Sequence, residues 1–341
     1  MEPASIVSVS AETLARQLES VFVRRGFSEA DARGFADVLV WAEVNGRAGH
    51  GAVRVPRYVE MIEQGEMNPA AVPRVALSTP AVTLIEADRA AGPVAMNFAL
   101  GVAVEQCRTS GASVVLVRRT THTGAIGCFA TRAAEMGLAA MIFAAGKPLM
   151  AYHGSAEPGL STSPLAIAVP AVDAPLVLDM AISATSLGTL KKLADADAAI
   201  PADWALDKDG KPTTRAKEAV LPLPVGGPKG SGLGLMFEAM TGVLVGWPVL
   251  APSLLEGSEN LGQNAFILLI DPAALGTLPR FCQDVERLKQ AIRSLPPREG
   301  FGKISLPGDR SQASAAKLHQ DGIRVPAKLW NKIQLLAQAP Q

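Results

Sequence analysis

Short runs of β-branched and apolar residues, separated by glycine and proline, recur from about residue 75 onward. Such runs are typical of buried strands, and segments with helical periodicity lie between several of them. Strands that alternate with helices pack as a sheet covered by helices, so we expect an α/β protein. The predicted strands are 82–86, 113–117, 140–144, 165–169, 176–178 and 266–270, and the predicted helices between them are 94–107, 126–136 and 232–244.

Both ends of the chain are predicted to be helical. Near the N-terminus, apolar residues at helical spacing indicate two amphipathic helices, and Ser28 with Asp31 is a capping signal at the start of the second. Pro56 fits only the first turn of a third, short helix, which Gly65 ends. Helical patterns return at 284–293, 311–320 and 327–338. The predicted division is therefore 1–72 (helical), 73–280 (α/β) and 281–341 (helical).

Composition narrows the class of protein. With 341 residues, 48% of them hydrophobic, the chain can bury a large core. It has 32 Lys and Arg against 32 Asp and Glu, so no net charge favours nucleic acid or an anionic membrane. Its three cysteines suit reduced thiols better than a disulfide framework, and residues 1–10 lack the pattern of a secretory signal. These features predict a cytoplasmic protein with neither nucleic acid nor membrane as partner.

Several common catalytic motifs are missing from the sequence. No G-x-G-x-x-G follows a predicted strand, which argues against a Rossmann domain. No HExxH, CxxC, EF-hand or G-x-S-x-G pattern occurs, so we expect neither a metal site nor a serine hydrolase. The glycine-rich stretch 226–232 departs from the Walker pattern because Gly230 follows Lys229. It is either a phosphate-binding turn at a helix start or simply a tight turn.

Two histidines lie in sequences suited to binding and proton transfer. His50 stands between two glycines shortly before Arg54, and an arginine fork matches a carboxylate while a histidine exchanges protons near neutral pH. His122 follows the predicted strand 113–117, where α/β proteins often place their sites. Alternatively, His50 and Arg54 are surface residues beside a turn, and His122 has a capping or core role.

Six segments stand out in their order along the chain: His50-Gly51 with Arg54, Pro56 and Tyr58, then 121–125, 161–166, 178–183, 222–223 with 226–230, and 306–309. Together they resemble the malate/L-lactate dehydrogenase family, whose NAD(P)-dependent members lack a Rossmann fold. The group includes sulfolactate, ureidoglycolate and 2,3-diketogulonate dehydrogenases and piperideine-2-carboxylate reductases.

The resemblance implies a fold and a set of roles. It implies an α/β fold with a large central sheet, a central cofactor-binding region, a C-terminal segment packed on the N-terminal one, and a homodimer with shared active sites. It implies catalytic roles for His50, His122 and Asp179, and substrate contacts by Arg54, Tyr58 and Thr162. The implied contacts to NAD or NADP are His122, Thr123, Gly124, Ala125, Asp179, Met180, Ala181, Lys229, Gly230, Gly308 and Asp309.

Some positions depart from the family pattern. Ala48-Gly49 stands where many members have Asp-Ser, so no serine relay to His50 can operate. Ala145-Gly146-Lys147 and Ser163 replace two usual asparagines. The main hypothesis is an NAD(P)H-dependent reductase of a small 2-oxo acid. The alternatives are a reductase of cyclic 2-imino acids, a family member that binds ligand without turnover, and a phosphate-loop nucleotide hydrolase.

Overall fold

A computed structural model describes residues 5–259 and 261–338. The helices are α1 (Ala11–Val23), α2 (Glu29–Val44), α3 (Val55–Glu63), α4 (Gly92–Ser110), α5 (Ile126–Glu135), α6 (Leu187–Asp195), α7 (Pro228–Glu238), α8 (Leu250–Leu255), α9 (Pro272–Leu275), α10 (Leu278–Arg293), α11 (Asp309–Asp321) and α12 (Ala327–Gln338). The strands are β1 (Ile6–Val9), β2 (Arg74–Ser78), β3 (Val82–Glu86), β4 (Ala112–Thr120), β5 (Ala139–Gly146), β6 (Met150–Ala151), β7 (Pro158–Leu160), β8 (Leu165–Val169), β9 (Leu176–Met180), β10 (Ala205–Leu206), β11 (Leu221–Pro222), β12 (Gln263–Ile270) and β13 (Ile323–Pro326).

One seven-stranded sheet forms the centre of the molecule, in the order β2-β3-β4-β12-β5-β8-β9. Only β3 and β4 pair in parallel, across helix α4, and the other neighbours in this sheet are antiparallel. Strand β12 comes late in the chain yet lies between β4 and β5. The predicted α/β class and large central sheet are confirmed.

Both faces of the central strands are buried, which explains why they appear in the sequence as continuous apolar runs. One face packs against α4 and α5 in a core rich in alanine. The other face contributes Phe143 and Phe266 to a second core, where the Phe143 ring lies 4.2 Å from that of Phe237 on α7 and 4.5 Å from that of Phe266.

The N-terminal helices form a third core together with the C-terminal end of the chain. Ser28 caps α2 by accepting a hydrogen bond from the backbone N–H of Asp31 at 3.1 Å, as predicted. The Phe22 and Phe35 rings stack between α1 and α2 at 4.0 Å. Strand β1 pairs with β13, and α12 contributes Trp330 and Ile333 to the same core.

Some elements differ from the sequence expectation. The predicted helix 232–244 begins earlier, at Pro228, and changes to a π-helical turn at Ala239–Val243. Buried Glu238 at this junction accepts hydrogen bonds from the N–H groups of Val249 and Leu250. Strand β2 was not predicted, because all five of its residues are exposed and show no alternation. No helix among residues 5–259 and 261–338 combines the length and hydropathy needed to cross a membrane.

Candidate active site

The loop between α2 and α3 consists of two short 3-10 turns, Ala48–His50 and Ala52–Arg54. Glu43 of α2 lies beneath it, 8% exposed, and accepts a hydrogen bond from the N–H of Ala52 at 2.8 Å. A side chain at Gly51 would overlap the Glu43 carboxylate. Burial raises the pKa of Glu43 to about 7, although the Ala52 N–H and the positive charge of Lys192 oppose this shift.

The imidazole rings of His50 and His122 lie parallel, with an interplanar angle of 2° and 5.4 Å between their centres. Burial, followed by the positive charges of Arg54 and Arg47, lowers the pKa of His50 to about 4. Burial, His50 and Arg54 lower the pKa of His122 well below 6.5. Both rings are therefore neutral at physiological pH. Nδ1 of His50 is buried and has no hydrogen-bond partner in the part of the chain that the structure describes.

Tyr58 lies on α3 behind the histidine pair. It is 1% exposed, packs edge-on against Phe35, and its hydroxyl lies 2.7 Å from Nδ1 of His122. Burial raises the pKa of the hydroxyl, so the phenol stays neutral. The structure thus places the Tyr58 hydroxyl against a histidine, whereas the resemblance implies a direct substrate contact.

Arg54 faces both histidines. Its Nε donates a hydrogen bond to the carbonyl oxygen of Gly49 at 2.7 Å, which fixes the plane of the guanidinium. Its two Nη atoms have no partner among the residues that the structure describes. A planar fork with free N–H groups beside two neutral imidazoles is suited to a carboxylate.

Strand β12 holds the loop that carries His122, and no sequence pattern predicted this support. Oε1 of Gln263 accepts hydrogen bonds from the N–H of Thr123 at 3.0 Å and from its hydroxyl at 3.3 Å. Oδ1 of Asn264 accepts the N–H of Arg119, whose positive φ of 57° lies where the pairing of β4 with β12 shifts register. The only sequence signal was two adjacent amide residues entering an otherwise apolar strand.

Asp179, at the end of β9, connects the central sheet to the N-terminal loop. Its carboxylate lies 3.2 Å from Nε of Arg47, and its carbonyl oxygen accepts a hydrogen bond from the same guanidinium at 2.9 Å. A Cβ at Gly127, in the first turn of α5, would lie 2.6 Å from the carboxylate. Burial raises the pKa of Asp179, and Arg47 opposes this. The structure therefore brings the predicted blocks around 47, 125 and 179 together.

The glycine-rich turn lies beside the residues that follow Asp179. Ile182 accepts a hydrogen bond from the N–H of Val225 and donates its own N–H to the carbonyl of Thr162. Gly227 has a φ of +57°, and a side chain at Gly230 would collide with the backbone of Val225. The turn leads into α7, with Lys229 exposed in the first helical turn.

Gly308 and Asp309 lie at the start of α11. Gly308 has a φ of +93° and approaches the carbonyl of Val177 on β9. The Asp309 carboxylate accepts hydrogen bonds from the Leu306 N–H at 2.9 Å and from Arg293 at 2.8 Å, beside a cavity of about 600 Å³. Within the described residues, Asp309 makes no hydrogen bond or ion pair with His50 or His122. The same described part contains no cluster of three or more His, Cys, Asp or Glu side chains that could bind a metal.

The profile of one protein family, described as Malate/L-lactate dehydrogenase, matches residues 9–334. The chain belongs to this family. The match covers both histidine loops, β9, the glycine-rich turn and the start of α11. The family predicted from the order of the sequence blocks is therefore confirmed.

Individual relatives cover nearly the whole chain. Ureidoglycolate dehydrogenase (NAD(+)) from Escherichia coli K12 is 32% identical over 325 residues, which are 94% of this chain and 93% of that protein. Delta(1)-pyrroline-2-carboxylate reductase from Ancylobacter novellus is 30% identical over 344 residues, covering 98% of each. Among solved structures, malate dehydrogenase from Pyrococcus horikoshii OT3 has a TM-score of 0.88 at 28% identity, covering 98% of this chain and 95% of that one.

Proposed function

We propose that this protein is an NAD(P)H-dependent oxidoreductase that interconverts a small 2-oxo acid and the corresponding 2-hydroxy acid. The observation that carries the proposal is the meeting of His50, His122 and Arg54, which come from two segments about 70 residues apart. A carboxylate receptor next to two groups that bind or exchange protons is what this reaction requires.

In this proposal Arg54 holds the substrate carboxylate through its free Nη atoms, and the histidine pair faces the reacting oxygen. A bound nicotinamide supplies or accepts the hydride. The carboxylate partly offsets the positive charge of Arg54, one of the charges that lower the pKa of both histidines. Substrate binding therefore makes it easier for His50 to hold the proton that is exchanged with the substrate.

The residues near the turn at 226–230 suit a phosphate-bearing cofactor. A helix N-terminus favours anions, and Lys229 is exposed there. The hydroxyl of nearby Ser183 is buried and has no partner among residues 5–259 and 261–338. We assign the cofactor to this turn, to Thr123–Ala125 and Asp179–Ala181, and to Gly308 with Asp309.

Substitution of Lys229 tests this cofactor site. Lys229→Ala should raise the KM for the nucleotide while leaving the KM for the organic acid nearly unchanged. Lys217→Ala, which removes an exposed lysine paired with Asp197, is the matched control. A change confined to the organic acid would refute the cofactor assignment.

A reductase of cyclic 2-imino acids is the second candidate, because the relative from Ancylobacter novellus is named for that activity and matches 98% of this chain. Binding without turnover is the third, because Gly49 replaces the family serine, and Nδ1 of His50 has no hydrogen-bond partner among the described residues.

Spectrophotometric assays distinguish these candidates. Purified protein would be tested with NADH and NADPH against pyruvate, oxaloacetate, piperideine-2-carboxylate and pyrroline-2-carboxylate. Oxidation of NADH or NADPH with a 2-oxo acid supports the main proposal, and oxidation with the imines alone supports the second. Binding of the cofactor without oxidation of it supports the non-catalytic alternative and contradicts both.

We further propose a homodimer. Exposed apolar side chains follow one face of α7 and the π-helical turn at spacings of three and four residues, and an apolar surface of this kind is typical of an interface. These residues are Leu233, Met236, Met240, Val243 and Leu244, and we call this surface the α7 face.

The predicted division at residues 72 and 280 and the cytoplasmic location remain proposals. Pairing of β1 with β13 supports a C-terminal segment that packs on the N-terminal one. The unpaired thiols of Cys107, Cys128 and Cys282 suit a reducing compartment.

A further inference from the structure

The hydrogen bond between the Tyr58 hydroxyl and Nδ1 of His122 can run in either direction, because a hydroxyl both donates and accepts. Either the phenol donates to Nδ1, which leaves the imidazole hydrogen on Nε2, or Nδ1–H donates to the phenol oxygen. The two arrangements present opposite chemistry at Nε2. In the first that nitrogen is a donor, and in the second it is an acceptor.

Burial decides which group donates. Tyr58 is 1% exposed and burial raises the pKa of its hydroxyl, so the phenol keeps its hydrogen. Within the described part of the chain, His122 is the only hydrogen-bond partner of that hydroxyl. If Nδ1–H were the donor, the phenolic hydrogen would be buried without an acceptor, which is unfavourable. The phenol is therefore the donor.

The other nitrogen of His122 then carries the ring hydrogen. A neutral imidazole has one protonated nitrogen, and burial with the neighbouring His50 and Arg54 keeps this ring neutral by lowering its pKa. Nε2 of His122 has no partner among the described residues, and the His122 side chain is half-buried rather than fully enclosed. It is the ring nitrogen of His122 that a ligand can reach.

We propose that Tyr58 is a positioning residue that holds His122 as the Nε2–H tautomer, so that His122 presents a hydrogen-bond donor to the carbonyl oxygen of the substrate. The role toward substrate rests on the proposed 2-oxo acid chemistry. A donor at this position stabilises the negative charge that develops on the oxygen during reduction. Because Nδ1 is already occupied, His122 has no free nitrogen to accept a proton, and proton exchange falls to His50.

The tautomer can be measured without any substrate. In protein labelled with ¹⁵N-histidine, a long-range ¹H–¹⁵N spectrum at pH 7 distinguishes protonated from bare ring nitrogens, and His122→Gln assigns the signals. We expect a bare Nδ1 and a protonated Nε2 for His122. In Tyr58→Phe, which keeps the ring packing, this single tautomer should be lost. Tyr152→Phe makes the same chemical change at the other, exposed tyrosine and should leave the His122 signals unchanged. A protonated Nδ1 in the native protein would overturn the proposal.

Kinetics test the consequence for the reaction. With the 2-oxo acid identified by the assays, kcat of Tyr58→Phe should fall about 10- to 100-fold while the KM for the nucleotide stays nearly constant. A purely structural role for Tyr58 would lower the amount of folded protein without changing the tautomer. An unchanged kcat in a variant that has lost the tautomer would refute the role toward substrate.

The two measurements separate this proposal from the proposed function. A native protein with the expected tautomer but no turnover would contradict the 2-oxo acid chemistry and leave the Tyr58–His122 assignment standing. A protein that turns over a 2-oxo acid but has the opposite tautomer would support the 2-oxo acid chemistry and contradict the Tyr58–His122 assignment. If Tyr58→Phe does not fold, the spectrum of the native protein still decides the tautomer.

Discussion

At the scale of single residues, Arg54 carries the strongest prediction, because its free Nη atoms can hold a carboxylate bidentately. A hydrogen bond to a charged group contributes about 1.5–3 kcal/mol, so Arg54→Ala should lower kcat/KM for the acid roughly 10- to 100-fold. Arg54→Lys should also impair turnover, because lysine offers a point charge in place of a planar fork.

The nearby Arg57 provides a matched control. It lies on the exposed side of α3 and pairs with Glu66 at 2.8 Å. Arg57→Ala should leave both kinetic constants nearly unchanged, and neither substitution should alter the affinity for the nucleotide. If Arg54→Ala has an unchanged kcat/KM for the acid, Arg54 is a surface charge and does not bind the carboxylate.

Two neighbouring glycines differ in how much space surrounds them. Gly51 has a negative φ but faces the Glu43 carboxylate, whereas Gly49 has nothing within 4 Å of its missing side chain. Gly51→Ala should therefore destabilise the protein by about 1–3 kcal/mol through overpacking. Gly49→Ala should change the free energy of unfolding by less than about 0.5 kcal/mol. Urea unfolding of both variants tests the difference, and equal effects would show that Glu43 moves aside freely.

At the scale of elements, Glu43 makes the C-terminal turn of α2 sensitive to pH. Its pKa rises from 4.5 in the unfolded chain to about 7 in the folded one, so the unfolded state loses this proton first. The stability contributed by this group is therefore fully present below pH 4.5 and is lost as the pH rises through 7. At about 1.4 kcal/mol per pKa unit, the loss is roughly 3 kcal/mol.

Glu43→Gln removes this titration while its carbonyl oxygen can still accept the Ala52 N–H. Relative to the native protein, the variant should gain stability between pH 4.5 and 7 and keep the gain above pH 7. Contributions from the histidines cancel, since both proteins contain them. The exposed Glu60→Gln on α3 is the control. If the difference in the free energy of unfolding between Glu43→Gln and the native protein does not change with pH, the raised pKa of Glu43 is refuted.

At the scale of the whole molecule, the α7 face predicts self-association. The solution mass measured by light scattering should be at least twice the 35.5 kDa of the chain. Leu244→Glu, which places a charge within the α7 face, should shift the protein toward monomer. Leu275→Glu changes an exposed leucine on α9, 85% exposed, and should not. A fully active monomer would contradict the dimer.

Local sequence patterns determined the individual elements. The predicted bounds of β3 and β8 match the structure, and Ser28 caps α2, because periodicity and capping depend on residues close together in the chain. The family, and with it the general fold, also followed from the order of short motifs. Elements with little burial or few residues, such as β2 and β6, leave no such pattern and were missed.

Contacts between distant segments were decided only by the tertiary structure. Three such contacts are the insertion of β12 between β4 and β5, the hydrogen bond of Tyr58 to His122, and the support of Thr123 by Gln263. Each of them joins residues at least 64 positions apart in the chain. No local pattern encodes such a pairing, because it depends on which buried polar groups lie next to one another after folding. The lowered pKa values of the two histidines also depend on folding, since burial and neighbouring charges exist only in the folded chain.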